Sequence, residues 1–241
     1  MKVAVIQMTC TIGDKNANFE KAAPMIEEAC QNGAKLIVLP ELFNTGYCCK
    51  DDWALAETGN DKTYEFLKYY TVKYDTSIMA GFIERSNVPG LVYNSVMYVH
   101  KNEKAKIYRK MYLWGAEKNR FIRGQELSVW KNDGINTAAQ ICYEVGFSEN
   151  ARMLTFGGAE IICYSAAFGR ARGYAWDLAT RARALENGCF VLASNHSSDE
   201  DGLEFCGMSR IANTKGEVIA EATKDNEVVM ADIDINDIYK Q

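Results

Sequence analysis

The chain has 241 residues, 48% of them hydrophobic and 24% charged, proportions of an ordinary globular protein that exclude extended disorder and fibrous repeats. A domain of this length buries roughly 70–75% of the surface its unfolded chain exposes, so it needs no disulfide or metal to hold a core. The net charge of −5, with no dense basic tract, excludes a surface that follows a phosphate backbone, and with it nucleic acid as a partner.

In chain order, the first apolar run is Val3–Ile6, a strand rather than a signal-peptide pattern, and no later run approaches the length of a bilayer span. The reading is a cytoplasmic protein with no membrane partner. Asn18–Gln31 carries Phe19, Ala22, Ile26 and Ala29 at helical spacing, with Gly33 placed as the residue after the cap and Pro24 expected to kink the segment. Leu36–Leu39 is a fully apolar strand, Thr63–Tyr74 a helix and Ile78–Ile83 another strand. This alternation is that of an α/β fold. Paired strands follow at Val92–Val99 and Lys104–Tyr108, then Thr137–Ile141, Glu160–Tyr164, Phe190–Ala193, Gly207–Ala212 and Val228–Ile233. A helix is predicted to begin at Ser148, and a longer one spans Gly173–Asn187 with Gly188 as its stop. So many strands with few helices between them imply more than one sheet. No linker, repeat or low-complexity stretch divides residues 1–241, which read as one domain.

The eight cysteines contain no C-x-x-C pair, and only His100 and His196 are present, so the sequence offers no metal-ligand cluster and no metal or organic cofactor is expected. Most of the cysteines read as small buried hydrophobes kept reduced. Cys142 differs, because it closes a strand and precedes a predicted helix. Such a turn exposes a side chain beside free N–H groups and a positive helix end, which favour a thiolate and can bind an oxyanion; the alternative is a buried core cysteine. Glu41 follows the Leu36–Leu39 strand and Pro40, where open α/β sheets place their ligands and where partial burial makes a carboxylate a useful base; the alternative is a solvated loop residue. Lys110, within Tyr108-Arg109-Lys110-Met111-Tyr112, either points into a pocket or snorkels from an edge strand with Arg109.

In order along the chain stand Leu39-Pro40-Glu41-Leu42-Phe43, Tyr108-Arg109-Lys110 and Ile141-Cys142-Tyr143-Glu144, framed by Gly33-Ala34-Lys35-Leu36, Asn94-Ser95, Trp176, Ala182-Arg183-Ala184-Leu185-Glu186-Asn187, Ser194-Asn195 and Ala231-Asp232-Ile233-Asp234. Over nearly its whole length the sequence resembles the carbon–nitrogen hydrolase superfamily, the nitrilase-like amidases. The resemblance implies an α-β-β-α sandwich of two mixed sheets with outer helices, assembled as a homodimer stacked helix to helix. It makes Glu41 the general base, Cys142 the nucleophile that carries the acyl group as a thioester, and Lys110, with the N–H after Cys142, the stabiliser of the oxyanion. Glu117 matches a second glutamate that positions Lys110 and substrate; its other reading is a surface charge. Glu144 and Glu186 match structural positions. Tyr47, Tyr143, Ala166 and Ala167 are expected around a small amide or carbamoyl substrate.

Three positions depart from the amidase pattern: Gly146 stands where many relatives have arginine, Ser148 where they have proline, and Ser165 replaces the proline before Ala166-Ala167-Phe168. Without that arginine, a neutral or cationic amide is expected in preference to a dicarboxylic ω-amide, unless Arg170 or Arg172 reaches the pocket. Tyr143 is amidase-like, where nitrile-hydrolysing relatives tend to have tryptophan. Competing readings are a hydrolase built on Cys142, His196 and Asn195, and a binding module that keeps the fold without chemistry.

Overall fold

Alternation along the apolar strands sets the layers. Val3 and Val5, like Leu36 and Val38, face one hydrophobic core, while Ala4 and Ile6, like Ile37 and Leu39, face another; each strand is covered on both sides, which is why it reads as a continuous apolar run. The computed structural model describes residues 1–101, 103–132 and 134–240. Its elements are β1 (Lys2–Gln7), α1 (Lys15–Gln31), β2 (Leu36–Val38), α2 (Asp52–Leu55), α3 (Lys62–Tyr74), β3 (Ser77–Arg85), β4 (Val92–His100) and β5 (Lys106–Arg109), followed by β6 (Val129–Asn132), β7 (Ile135–Ile141), α4 (Ser148–Phe156), β8 (Ile161–Ala166) and α5 (Gly173–Asn187). The chain then forms β9 (Phe190–Asn195), a small hairpin of β10 (Asp199–Glu200) and β11 (Leu203–Glu204), β12 (Arg210–Ala212), β13 (Val218–Glu221) and β14 (Glu227–Asp232).

Two six-stranded sheets result, ordered β14-β1-β2-β3-β4-β5 and β13-β12-β9-β8-β7-β6. Both are mixed: β1, β2 and β3 run parallel, as do β7, β8 and β9, and the outer neighbours in each sheet are antiparallel. The sheets face each other across the core that holds Val5, Val38, Met79, Ile161, Cys163 and Leu192. Residues of α1 and α3, among them Ile26, Ala29, Leu67 and Tyr70, cover the outer face of the first sheet. The second sheet is covered by α4 and α5, with Leu154, Trp176 and Ala184 in its core. This is the expected α-β-β-α sandwich of two mixed sheets with outer helices.

Several boundaries move for identifiable reasons. The first helix begins at Lys15 rather than Asn18, capped by Asp14, with Pro24 inside it; Pro24 is exposed, so the carbonyl it deprives of a partner is on the solvent side. The expected strand from Gly207 begins only at Arg210, because Gly207 and Met208 both have positive φ, 62° and 56°, which breaks an extended chain. Short β6 and β13, and the β10–β11 hairpin, lack the sustained apolar runs by which strands were recognised. In α5, Trp176, Thr180 and Ala184 are buried one above the other, whereas Tyr174, Leu178 and Leu185 are exposed. No helix among the described residues is long and apolar enough to cross a membrane.

Candidate active site

Strand ends from both sheets supply the reactive side chains. Beyond β2 the chain continues along β3: Leu39 N–H donates to Met79 O, Gly81 N–H to Pro40 O and Phe43 N–H to Gly81 O. A Cβ on Gly81 would stand 2.6 Å from Glu41 Cα and 2.5 Å from Leu42 N, so only glycine permits the approach that seats Glu41. Glu41 is fully buried. Its Oε1 accepts from Asn94 Nδ2 at 2.6 Å and Lys110 Nζ at 2.7 Å, and its Oε2 from Ala167 N–H at 2.8 Å.

Lys110 leaves β5 with its backbone held by Asn94 O and Gly124 N–H, and its side chain is completely buried. The snorkelling alternative therefore fails for Lys110 and holds only for Arg109, which is half-exposed and pairs with Glu84 at 2.6 Å. Lys110 Nζ also donates to Glu117 Oε1 at 2.8 Å. Burial works against the ammonium, but Glu41 and Glu117 on either side override it and hold its pKa above the usual lysine value. Glu117, 1% exposed, is no surface charge: it sits in the 3₁₀ turn Gly115–Asn119, where Oε2 accepts from Trp114 N–H and Oε1 also accepts from the Tyr47 hydroxyl at 2.7 Å.

Cys142 follows β7 with φ of 51°, an uncommon conformation for a residue with a side chain. It opens the 3₁₀ turn Cys142–Gly146, and α4 starts only at Ser148. The helix begins at Ser148, where the sequence predicts it, and the 3₁₀ turn stands between it and the thiol. Burial first, and then the negative charges of Glu41 and Glu117, push the thiol well above its ordinary pKa, outweighing Lys110 and the Ala167 N–H. Glu144 clasps this turn, accepting from Ile141 N–H, Tyr108 Oη, Met111 N–H and Tyr112 N–H at 2.7–3.2 Å; burial nonetheless pushes its carboxyl up to about 7. From α5, Glu186 holds Arg183, whose Nε donates to Val145 O. Both glutamates have the structural surroundings expected of them.

A cavity of about 340 Å³ opens above the thiol. Cys142 and Ala167 line it together with Tyr47, Trp114, Tyr143, Phe168 and Arg172. Ala166 does not: its neighbour Ser165 faces the first sheet, so the Ala166 side chain is turned to the helix-covered side of β8, and its carbonyl accepts from Glu41 N–H and His196 N–H. The period of two in β8 sends it away from the cavity that Ala167 lines. Arg172 lies 4.7 Å from the Trp114 ring centre and 5.8 Å from those of Tyr143 and Phe168, whereas Arg170 pairs with Glu204 on the surface. Trp114 and Asn94, with the positioning bonds of Ser165, escaped assignment in the sequence. Ser165 Oγ donates to Leu39 O across the sheets at 2.9 Å, a contact that proline at that position cannot make.

The structure does not assemble a Cys142–His196–Asn195 set. His196 Nε2 donates to the Glu41 carbonyl at 2.5 Å, and Asn195 bonds to Phe168 N–H and Gly207 O. On its other side His196 meets Cys10 and Glu200, and the ligand atoms of these three residues all lie within 4.8 Å of one another. The expectation that the sequence holds no such cluster is corrected; Cys10 comes from a segment distant from His196 and Glu200, so spacing could not reveal it.

Comparison with known proteins agrees with this fold. The carbon–nitrogen hydrolase family profile matches residues 2–241, and the chain belongs to that family. It is an enzyme of the amidase type, acting on amide carbon–nitrogen bonds. The chain is 33% identical to a nitrilase of Pyrococcus abyssi, over 100% of this chain and 96% of that protein. It is 32% identical to the 2-oxoglutaramate amidase of Bacillus subtilis, over 98% and 91%. Among solved structures, Saccharomyces cerevisiae Nit3, a member of branch 10 of the nitrilase superfamily, superposes with a TM-score of 0.91 at 26% identity, over 99% of this chain and 92% of that one.

Proposed function

We propose that the chain works as one catalytic domain that hydrolyses a small amide through a cysteine thioester. The observation that carries this reading is the buried Glu41–Lys110–Glu117 array at the foot of the cavity that Cys142 lines. Glu41 takes the thiol proton as sulfur attacks the amide carbon. The carbonyl oxygen becomes an oxyanion facing Lys110 and the Tyr143 N–H. Two of the three Lys110 donors are committed to glutamates, which aims the third. Collapse breaks the C–N bond as Glu41 returns the proton to nitrogen, and ammonia leaves. Water, deprotonated by Glu41, then attacks the thioester; the C–S bond breaks, the acid departs and the thiol regains its proton. No step needs a metal or an organic cofactor. Ammonia release from a panel of amides, carbamoyl compounds and nitriles tests this: Cys142→Ala should abolish release with the fold intact, and surviving turnover would sink the mechanism.

The acyl group is proposed to carry a distal carboxylate. The neutral-or-cationic expectation rested on Gly146, but Arg172 lines the cavity and forms no ion pair with a carboxylate among the described residues, so a cation is present after all. The names of relatives that act on 2-oxoglutaramate and on ω-amides support the same class. Arg172→Met should cut kcat/KM for a carboxylate-bearing amide about ten- to a hundredfold and leave its neutral analogue nearly unchanged; equal losses on both would reject the anchor.

The outward row Tyr174, Leu178 and Leu185 on α5, beside Met153 and Phe156 on α4, supports a homodimer joined through these helices. A monomer in light scattering at micromolar concentration overturns it. Eight free cysteines support a reducing compartment, in keeping with a cytoplasmic location.

A further inference from the structure

We infer that Cys10, His196 and Glu200 form a binding site for a single zinc-like divalent cation, set behind the catalytic glutamate. Cys10 follows β1, His196 follows β9 and Glu200 ends β10. They offer a sulfur, an imidazole nitrogen and a carboxylate oxygen within 4.8 Å of one another, the mixture of donors that borderline cations such as zinc accept.

Two observations beyond proximity point to a ligand. His196 Nδ1 and Glu200 Oε1 are buried and have no hydrogen-bond partner, in side chains 0% and 3% exposed. They face each other at 3.2 Å, aligned too poorly for a hydrogen bond. Orphaned polar atoms at such depth are costly, and a cation between them satisfies both. Second, the rest of each side chain is already tied down. His196 Nε2 faces the Glu41 carbonyl, so that nitrogen carries a hydrogen, and a cation at Nδ1 takes the place of the proton that otherwise pairs the imidazole with Glu200; metal-bound histidines characteristically donate their other N–H to a carbonyl in this way. Glu200 Oε2 accepts from Cys48 N–H at 3.0 Å, which leaves Oε1 for the ion.

Cys10 is the movable member. It is half-buried and its thiol donates to Phe43 O at 3.2 Å. Tetrahedral coordination with a Zn–S bond of about 2.3 Å places neighbouring donors roughly 3.5 Å apart, within reach of a side-chain rotation. Binding displaces the thiol proton, and the thiolate and Glu200 carboxylate then balance the two charges of the cation. Solvent supplies the fourth ligand from the Cys10 side. The ion lies across the imidazole from Glu41, outside the reaction path, and stiffens the hydrogen bond that fixes the base.

The test uses the full-length protein with Cys142→Ala, so that the active-site thiol cannot bind metal, kept reduced by a phosphine. Cobalt(II) should bind at one equivalent with a thiolate-to-cobalt charge-transfer band, and zinc should displace it and raise the melting temperature. Cys10→Ser on this background should abolish the band and weaken zinc binding about a hundredfold, and Glu200→Gln should weaken it at least tenfold. Without any change at Cys10, zinc should also shield that thiol from maleimide labelling, read by peptide mass analysis. Absence of the band, its persistence in the Cys10→Ser protein, or undiminished labelling of Cys10 in zinc overturns the site.

Discussion

The two sheets share one strand pattern, three parallel strands flanked by antiparallel neighbours, yet they contribute unlike chemistry. The first sheet supplies the charges: Glu41 beyond β2 and Lys110 beyond β5. The second supplies Cys142, the proposed nucleophile, beyond β7 and the Ala167 N–H beyond β8, which donates to the Glu41 carboxylate. Each half also holds its key residue by an unusual backbone, with Leu42 beside Glu41 and Cys142 itself both at φ of 51°. The difference teaches that neither sheet alone holds a site. Glu41 and Cys142 meet only if the sandwich closes in register.

The largest effect should come from the second half. Cys142→Ala should lower turnover at least about ten-thousandfold with an unchanged melting curve. Glu41→Gln breaks the first half, and the loss expected for a general base is about a hundred- to ten-thousandfold. That substitution also sharpens the comparison. Burial, and after it the Glu41 charge, hold the Cys142 thiol up, so removal of that charge should shift iodoacetamide labelling of Cys142 to lower pH even as hydrolysis fails. Labelling that moves to higher pH, or stays in place, would show that the two halves are not electrostatically coupled. Gly81→Ala forces a methyl against the Glu41 backbone and should cost about 1–3 kcal/mol of stability, with kcat falling more than KM changes. The smallest effects belong to the bonds between sheets, Ser165 Oγ to Leu39 O and Ser194 Oγ to Ile6 O. Alanine at either should cost about 1 kcal/mol in denaturant unfolding. Only the Ser165 change, one strand-end away from Glu41, should also lower kcat.

The parts legible in the sequence were those in which local order carries the signal. Apolar runs such as Val3–Ile6 revealed the doubly covered strands, and Gly188 marked the end of α5, where it caps the helix at φ of 62°. Glu41, Lys110 and Cys142 were legible because each stands at a strand end within a recognisable motif. What the sequence hid depends on contacts between distant segments. Asn94 reaches Glu41 from a different strand, Arg172 turns toward the cavity while Arg170 turns away, and Ala166 and Ala167 differ in role by one step of a pleat. The surroundings of Cys142 are hidden for the same reason: the position of the turn is clear, but the charges around it come from residues 41, 110 and 117.

The stack of Arg172 on Trp114 also gives the molecule a built-in optical gauge. Trp114 is 43% exposed at the cavity rim, with the Tyr143 ring 4.7 Å away, whereas Trp176 is sealed in the core and Trp53 and Trp130 are not among the cavity-lining residues. An acyl carboxylate that draws the guanidinium off the indole changes the surroundings of this one emitter. Occupancy of the pocket can then be followed by intrinsic fluorescence in the inactive Cys142→Ala protein, where ligand stays uncleaved, and Trp114→Phe identifies the signal's source.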